Sequence, residues 1–145
     1  MPAGTIIAVC TSKKKGTPKS DVGSGFLDEG FGLRDDAHGG DWHRQVSLLS
    51  IEQIQTMKEK GLDVKPGSFA ENLTTSGFDL ASVQVGDRLQ VGKSALLEVT
   101  QIGKECHTRC AIYNKVGECI MPEQGVFARV VKGGEVRAGD SISFS

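Results

Sequence analysis

Apolar residues recur along this chain mostly with a period of two, in short runs punctuated by glycine and aspartate. Gly4 to Thr11 places Ile6, Ile7 and Val9 between Thr5 and Thr11, a β-branched composition that predicts a first strand. Val46 to Leu49 reads as a second, short strand. Ala95 to Ile102 alternates Leu97, Val99 and Gln101 against Leu96, Glu98 and Thr100 and is the strongest strand signal. Gly125 to Lys132 and Ile142 to Phe144 predict two more. Ser12 to Gly25, with Lys13, Lys14, Lys15 and Pro18, reads as a loop, and Gly30 to Gly40 as a second glycine-rich one. Gly67 to Thr74 reads as a turn running into Glu71-Asn72-Leu73-Thr74, and Asp79 to Val85 as a short turn or helix.

Only Ser50 to Lys60 has helical periodicity. Ser50 suits the N-cap, with Gln53 three residues on. Ile51, Ile54 and Met57, with Leu48 before them, form one stripe. Lys58 and Lys60 complement the dipole in the last turn, and Gly61 is the natural stop. Two segments echo each other. Val83 to Leu89 and Glu135 to Ile142 each run through a Gly-Asp turn, Gly86-Asp87 and Gly139-Asp140, into a strand that begins or continues beyond it. Short strands, Gly-Asp turns and few helices predict a mainly β protein, a mostly antiparallel barrel or folded sheet.

Length and composition narrow the picture. A chain of 145 residues fits one domain, residues 1–145, with one full core. A net charge of -1 provides no global field toward nucleic acid or a membrane. No apolar run approaches the ~18 residues of a membrane span. Met1 to Cys10 lacks the basic start of a signal peptide, so a cytosolic, cytoplasmic location is expected. Four cysteines there point to free, catalytic or metal-binding thiols rather than disulfides.

Chemistry concentrates at Cys106-His107-Thr108-Arg109-Cys110. Thiolate is the reactive form of cysteine, and Lys104, His107 and Arg109 are the cations that would favour it. Two structural thiols, a zinc site drawn from Cys106, His107, Cys110 and Cys119, and a redox Cys106–Cys110 pair are the alternatives. Cys10, in the apolar first strand, reads as core. A second cluster is His38 with Asp41-Trp42-His43-Arg44-Gln45. It reads as the wall of a pocket for an anionic heteroaromatic ligand, with Arg44 forking onto oxygens and Trp42 stacking. The alternative is a satisfied surface turn with Trp42 buried. Glu71 and Asn72 would orient a ligand or a neighbouring loop, or simply cap a turn. No Walker loop or dinucleotide fingerprint precedes a helix.

These residues, in their order, resemble the MOSC domain family, named for the C-terminal domain of molybdenum cofactor sulfurases, in its small stand-alone bacterial form. The resemblance rests on Asp36 to Leu48, Gly67 to Leu73, Val85-Gly86-Asp87, Gly103 to Cys110 and Gly125 to Val130 with Gly139-Asp140. It implies a MOSC-type β-barrel with one or a few short helices. It also implies a characteristic cysteine, Cys110 by position, that carries sulfur as persulfide or ligates molybdenum. Molybdenum cofactor, or molybdenum itself, is the ligand it suggests. His38, His43, Arg44, Glu71, Asn72, Cys106, His107, Arg109 and Arg129 are the residues expected around it. The chain carries no aminotransferase-like domain and no lysine setting for pyridoxal phosphate. Sulfur would therefore come from a cysteine desulfurase-like donor and pass to molybdenum cofactor enzymes. A non-catalytic adaptor of cofactor synthesis and a small thiol-dependent detoxifying or redox enzyme are the alternative functions.

Overall fold

A computed structural model describes residues 3–14, 19–37, 39–61, 63–69, 71–102 and 125–145. Its strands are β1 (Gly4–Thr11), β2 (Ser20–Asp21), β3 (Ser24–Asp28), β4 (Gly32–Leu33), β5 (Val46–Ser50), β6 (Leu73–Ser76), β7 (Arg88–Val91), β8 (Ala95–Ile102), β9 (Val126–Lys132), β10 (Gly134–Arg137) and β11 (Ser141–Phe144). Among the described residues one α-helix, α1 (Ile51–Glu59), follows β5, and one 3-10 turn spans Leu80–Ser82.

The main sheet runs β11-β7-β8-β9-β5-β6-β1-β2, and β11 also pairs with β1. That extra pairing closes seven strands into a barrel and leaves β2 as an appendage on β1. All its ladders are antiparallel except β5–β6. A parallel pair needs a crossover, and α1 lies within it. A separate sheet, β10-β3-β4, completes the fold.

The barrel is mainly β with one α-helix, as the periodicity predicts. Inside it pack Ile6, Val9, Leu48, Leu73, Leu89, Leu97, Val99, Val126, Ala128, Val130 and Ile142 among others. A second, smaller core lies where α1 covers the outer face: Leu49, Ile54, Met57, Val64, Phe69 and Phe127, with Ile51 packed on it. Ser50 is the N-cap, its Oγ accepting from Gln53 N at 3.3 Å, and Gly61 follows with a positive φ of 93°. Leu48 does not join the helix stripe. Alternation along β5 turns Leu48 into the barrel, and Leu49 takes its place under α1.

The Gly-Asp echo is a shared turn. Asp87 Oδ2 accepts from Gln84 N at 2.8 Å, and Asp140 Oδ2 accepts from Arg137 N at 2.9 Å. The glycines before them have φ of 95° and 98°, where an L side chain would be strained. The loop expected from Ser12 to Gly25 instead contains β2 and the start of β3. The region Gly30 to Gly40 contains β4. These strands are only two to five residues long and carry no sustained alternation, so the pattern did not reveal them. β6, whose residues are all buried or nearly so, was likewise read as the tail of a turn.

Candidate functional site

One hydrogen-bonded row crosses five neighbouring segments on the side of the barrel covered by α1. Gln101 on β8 pairs with Phe127 on β9, and Phe127 pairs with Ser47 on β5. Asn72, just before β6, donates its N–H to the Ser47 carbonyl, and Cys10 on β1 donates its N–H to the Asn72 carbonyl. Residues far apart in the chain thus come to one level. On the next rung Ile102 pairs with Val126, and there β8 ends.

At the β1–β6 end of this row the side chains of Asn72, Asp36, Lys19 and Glu71 all meet protein partners. Asn72 Oδ1 accepts from Ser47 N at 3.0 Å and Ser47 Oγ at 3.3 Å, and its Nδ2 donates to the Cys10 carbonyl at 3.1 Å. The same amide bonds the Asp36 carboxylate. Asp36 takes a 2.7 Å ion pair from Lys19, both side chains fully buried, and accepts from Ser12 N. Burial alone would raise the Asp36 carboxyl. The bonds from Lys19, Asn72 and Ser12 outweigh it and hold the group below the usual carboxylate range. Glu71 is buried completely. It accepts from Gly67 N, Phe69 N and the Thr74 hydroxyl at 2.9–3.2 Å. Burial pushes its carboxyl up, and these bonds only partly pull it back. Gly67 has a φ of 92°, and a Cβ there would meet the Lys19 carbonyl. Lys19 N in turn donates to the Gly67 carbonyl at 2.8 Å, so the turn and the β2 approach need this glycine to touch. Cys10 is a free, buried thiol, pushed up to about 12 by burial and by the Glu71 carboxylate. It sits in the core, as its apolar strand suggested.

The β8–β9 end differs. The Arg44 guanidinium stacks on Trp42, 4.6 Å from the ring centroid, and lies 5.7 Å from that of Phe127. Its Nε is buried with no hydrogen-bond partner among the described residues. An unmet buried donor costs about 1–3 kcal/mol, so this atom calls for an acceptor. His43 is exposed, packs edge-on against Trp42 at 5.9 Å, and joins its Nε2 to Gln101 Oε1 at 2.8 Å. The Thr100 hydroxyl donates to the His43 carbonyl. Gln45, next along, accepts from Val130 N at 2.9 Å and pins the start of β5.

A profile of the MOSC domain matches residues 34–143, about three quarters of the chain. This chain belongs to the MOSC domain family. The solved structures agree on the fold. The YuaD protein from Bacillus subtilis is 20% identical, with a TM-score of 0.80, over 97% of this chain and 94% of its own. YiiM from Escherichia coli is 22% identical, with a TM-score of 0.69, over 99% of this chain and 70% of its own. YiiM from Geobacillus stearothermophilus is 20% identical, with a TM-score of 0.71, over 99% and 75%. A search of the curated proteins finds no match.

Of the residues expected to form a MOSC site, the fold sets Asn72 in this row with Glu71 next to it in sequence, while His43 bonds the row's Gln101 and Arg44 lies against its Phe127. Arg129 stands apart on the outer face of β9, where its guanidinium pairs with Glu98 at 2.8 Å, and Arg88 approaches the same carboxylate at 3.6 Å. Trp42 packs against the Arg44 guanidinium in a cation–π contact. His38, Cys106, His107, Arg109 and Cys110 lie outside the described residues. Among the described residues no group of three or more His, Cys, Asp or Glu is placed to hold a metal ion. No described helix is long and apolar enough to cross a membrane. Sequence reasoning missed Lys19, Ser47 and Gln101. Lys19 sat in a polar loop, and nothing local signals that a lysine there will be buried.

Proposed function

We propose that this MOSC domain binds a molybdenum-cofactor-type ligand, an anionic pterin phosphate, and that Cys110 is its working thiol. In this reading Cys110 receives sulfur as persulfide from a cysteine desulfurase-like donor, or ligates molybdenum, and delivers sulfur or cofactor to molybdenum cofactor enzymes. One observation carries it beyond family membership. The Trp42–His43–Arg44 corner, with its buried donor lacking an acceptor, is bonded to Gln101, the residue before Ile102. Ile102 is the last described residue before the segment that holds Cys106 and Cys110.

Arg44 fits an anionic ligand. Its planar guanidinium suits phosphate or pterin oxygens, and His43 adds a second polar contact. Asn72 fixes Ser47 on β5, and Glu71 fixes the 67–69 turn, at the other end of the same row. When bound, such a cofactor supplies a molybdenum centre that takes soft sulfur ligands. The protein's own part is to bind the anion, hold the strands in register and present a thiolate.

The test is mass spectrometry of the intact protein after incubation with a sulfur donor. A gain of one sulfur atom on Cys110, lost in Cys110→Ser with fold and cofactor binding retained, supports sulfur transfer. Cys10 should stay unmodified, because a thiol pushed up to about 12 holds almost no thiolate near neutral pH. Full function in Cys110→Ser would favour a non-catalytic adaptor. Neither a sulfur adduct nor bound cofactor would end the proposal.

A further inference from the structure

We propose that His43 and Arg44 together bind a protonatable oxyanion, a phosphate monoester, with Gln101 as the positioning residue that selects the imidazole nitrogen meeting it. The inference deepens the reading above and rests on it in taking this corner as the ligand-facing part of the row.

Both side chains share one platform, the Trp42 indole: the guanidinium lies over the ring and the imidazole stands against its edge. His43 is held at two further points, by Gln101 at the ring and by Thr100 at the backbone. An exposed histidine with no such restraints would sample many rotamers and both tautomers. A carbonyl oxygen only accepts, so Gln101 Oε1 requires a proton on His43 Nε2. In the neutral ring the lone pair then falls on Nδ1. Among the described residues, the charged groups beside His43 are Asp41 and Arg44 of its own segment. β8 faces it with neutral Thr100 and Gln101, and β9 brings Phe127 to Arg44.

This geometry suits a ligand that is both anionic and able to donate one proton. A phosphate monoester monoanion donates its O–H to Nδ1. On transfer the O–H bond breaks, the electron pair stays on oxygen, and an N–H bond forms. The products are a phosphate dianion and an imidazolium, with the guanidinium as the second cation and an acceptor now present for Arg44.

The experiment is nitrogen-15 NMR of the full chain with labelled histidine, with the His43 signals assigned by their loss in His43→Gln. The free protein should show the Nε2–H tautomer. Inorganic phosphate should shift the His43 ring-nitrogen signals saturably. In Arg44→Met the phosphate effect should vanish. In Gln101→Leu the tautomers should mix and phosphate affinity fall by about tenfold, the loss expected of one hydrogen bond to a charged group. An Nδ1–H tautomer in the free protein, or no response to phosphate, would each overturn the proposal. Sulfur loading of Cys110 is read separately. If it fails while His43 responds to phosphate, the sulfur-carrier reading falls and the anion site stands; the reverse outcome removes the anion site alone.

Discussion

The two ends of the polar row handle their donors and acceptors in opposite ways. At the β1–β6 end Asn72, Glu71, Asp36 and Lys19 are all buried, and each meets protein partners. At the β8–β9 end Arg44 is only partly buried, yet its Nε has no partner among the described residues. A buried group with every bond made stabilises one geometry and has nothing left for a ligand. A group held by stacking, with a donor unmet, keeps its hydrogen-bonding capacity for something that arrives. Residues that look alike in sequence, polar and set in glycine-rich loops, therefore divide into a part that builds the site and a part that faces a ligand.

The sharpest way to break that division is at the ion pair. Lys19→Met should leave the Asp36 carboxylate buried without its cation and cost about 3–5 kcal/mol in urea denaturation. A loss below about 1 kcal/mol would mean that this end is not the rigid one. Asn72→Ala is next. It strands the Ser47 N–H and the Cys10 carbonyl and should cost about 2–3 kcal/mol.

The pH dependence of stability separates the two buried acids. Glu71 has a folded pKa above its unfolded value near ~4.3, so folding takes up a proton there. The stability this gives is present at low pH and is lost as pH rises through the folded value. Asp36 has a depressed pKa, so its contribution is present above ~3.9 and is lost as pH falls through the lower folded value. Denaturation midpoints for Glu71→Gln should lose the decline that the wild-type chain shows above pH ~4.3. An identical slope in both chains would place the proton elsewhere.

The smallest stability effect is expected at the other end of the row. Arg44→Met gives up a cation–π contact but also removes an unsatisfied donor, so folding stability should change by less than about 1 kcal/mol. Phosphate binding, measured by calorimetry, should nonetheless disappear. A large stability loss with binding intact would make Arg44 a building residue like Asn72.

Much of the fold was legible in the chain. β1 and β8 fall at the expected residues because alternating β-branched and aliphatic positions on a half-buried strand leave a period-two record. α1 was marked by Ser50, its stripe and Gly61. The Gly-Asp turns were visible as a repeated dipeptide, and their shared carboxylate bond explains the repetition. β2, β3 and β4 left no such record, because two to five residues are too few to show a period. In the candidate site, Trp42, His43 and Arg44 stood out by chemical density. Gln101 and Ser47 did not, since each looks like an ordinary residue of a strand.

The sequence by itself determined the strand-rich class, the helix α1 with its boundaries, the Gly-Asp turns and the family, because these depend on local periodicity, capping and ordered motifs. Only the tertiary structure decided that β11 returns to β1 to close the barrel, that Lys19 is buried against Asp36, and that residues 10, 47, 72, 101 and 127 share one row. Those outcomes depend on register between strands distant in the chain. Register is set by which faces bury one another when the whole sheet closes, and no local pattern carries that information.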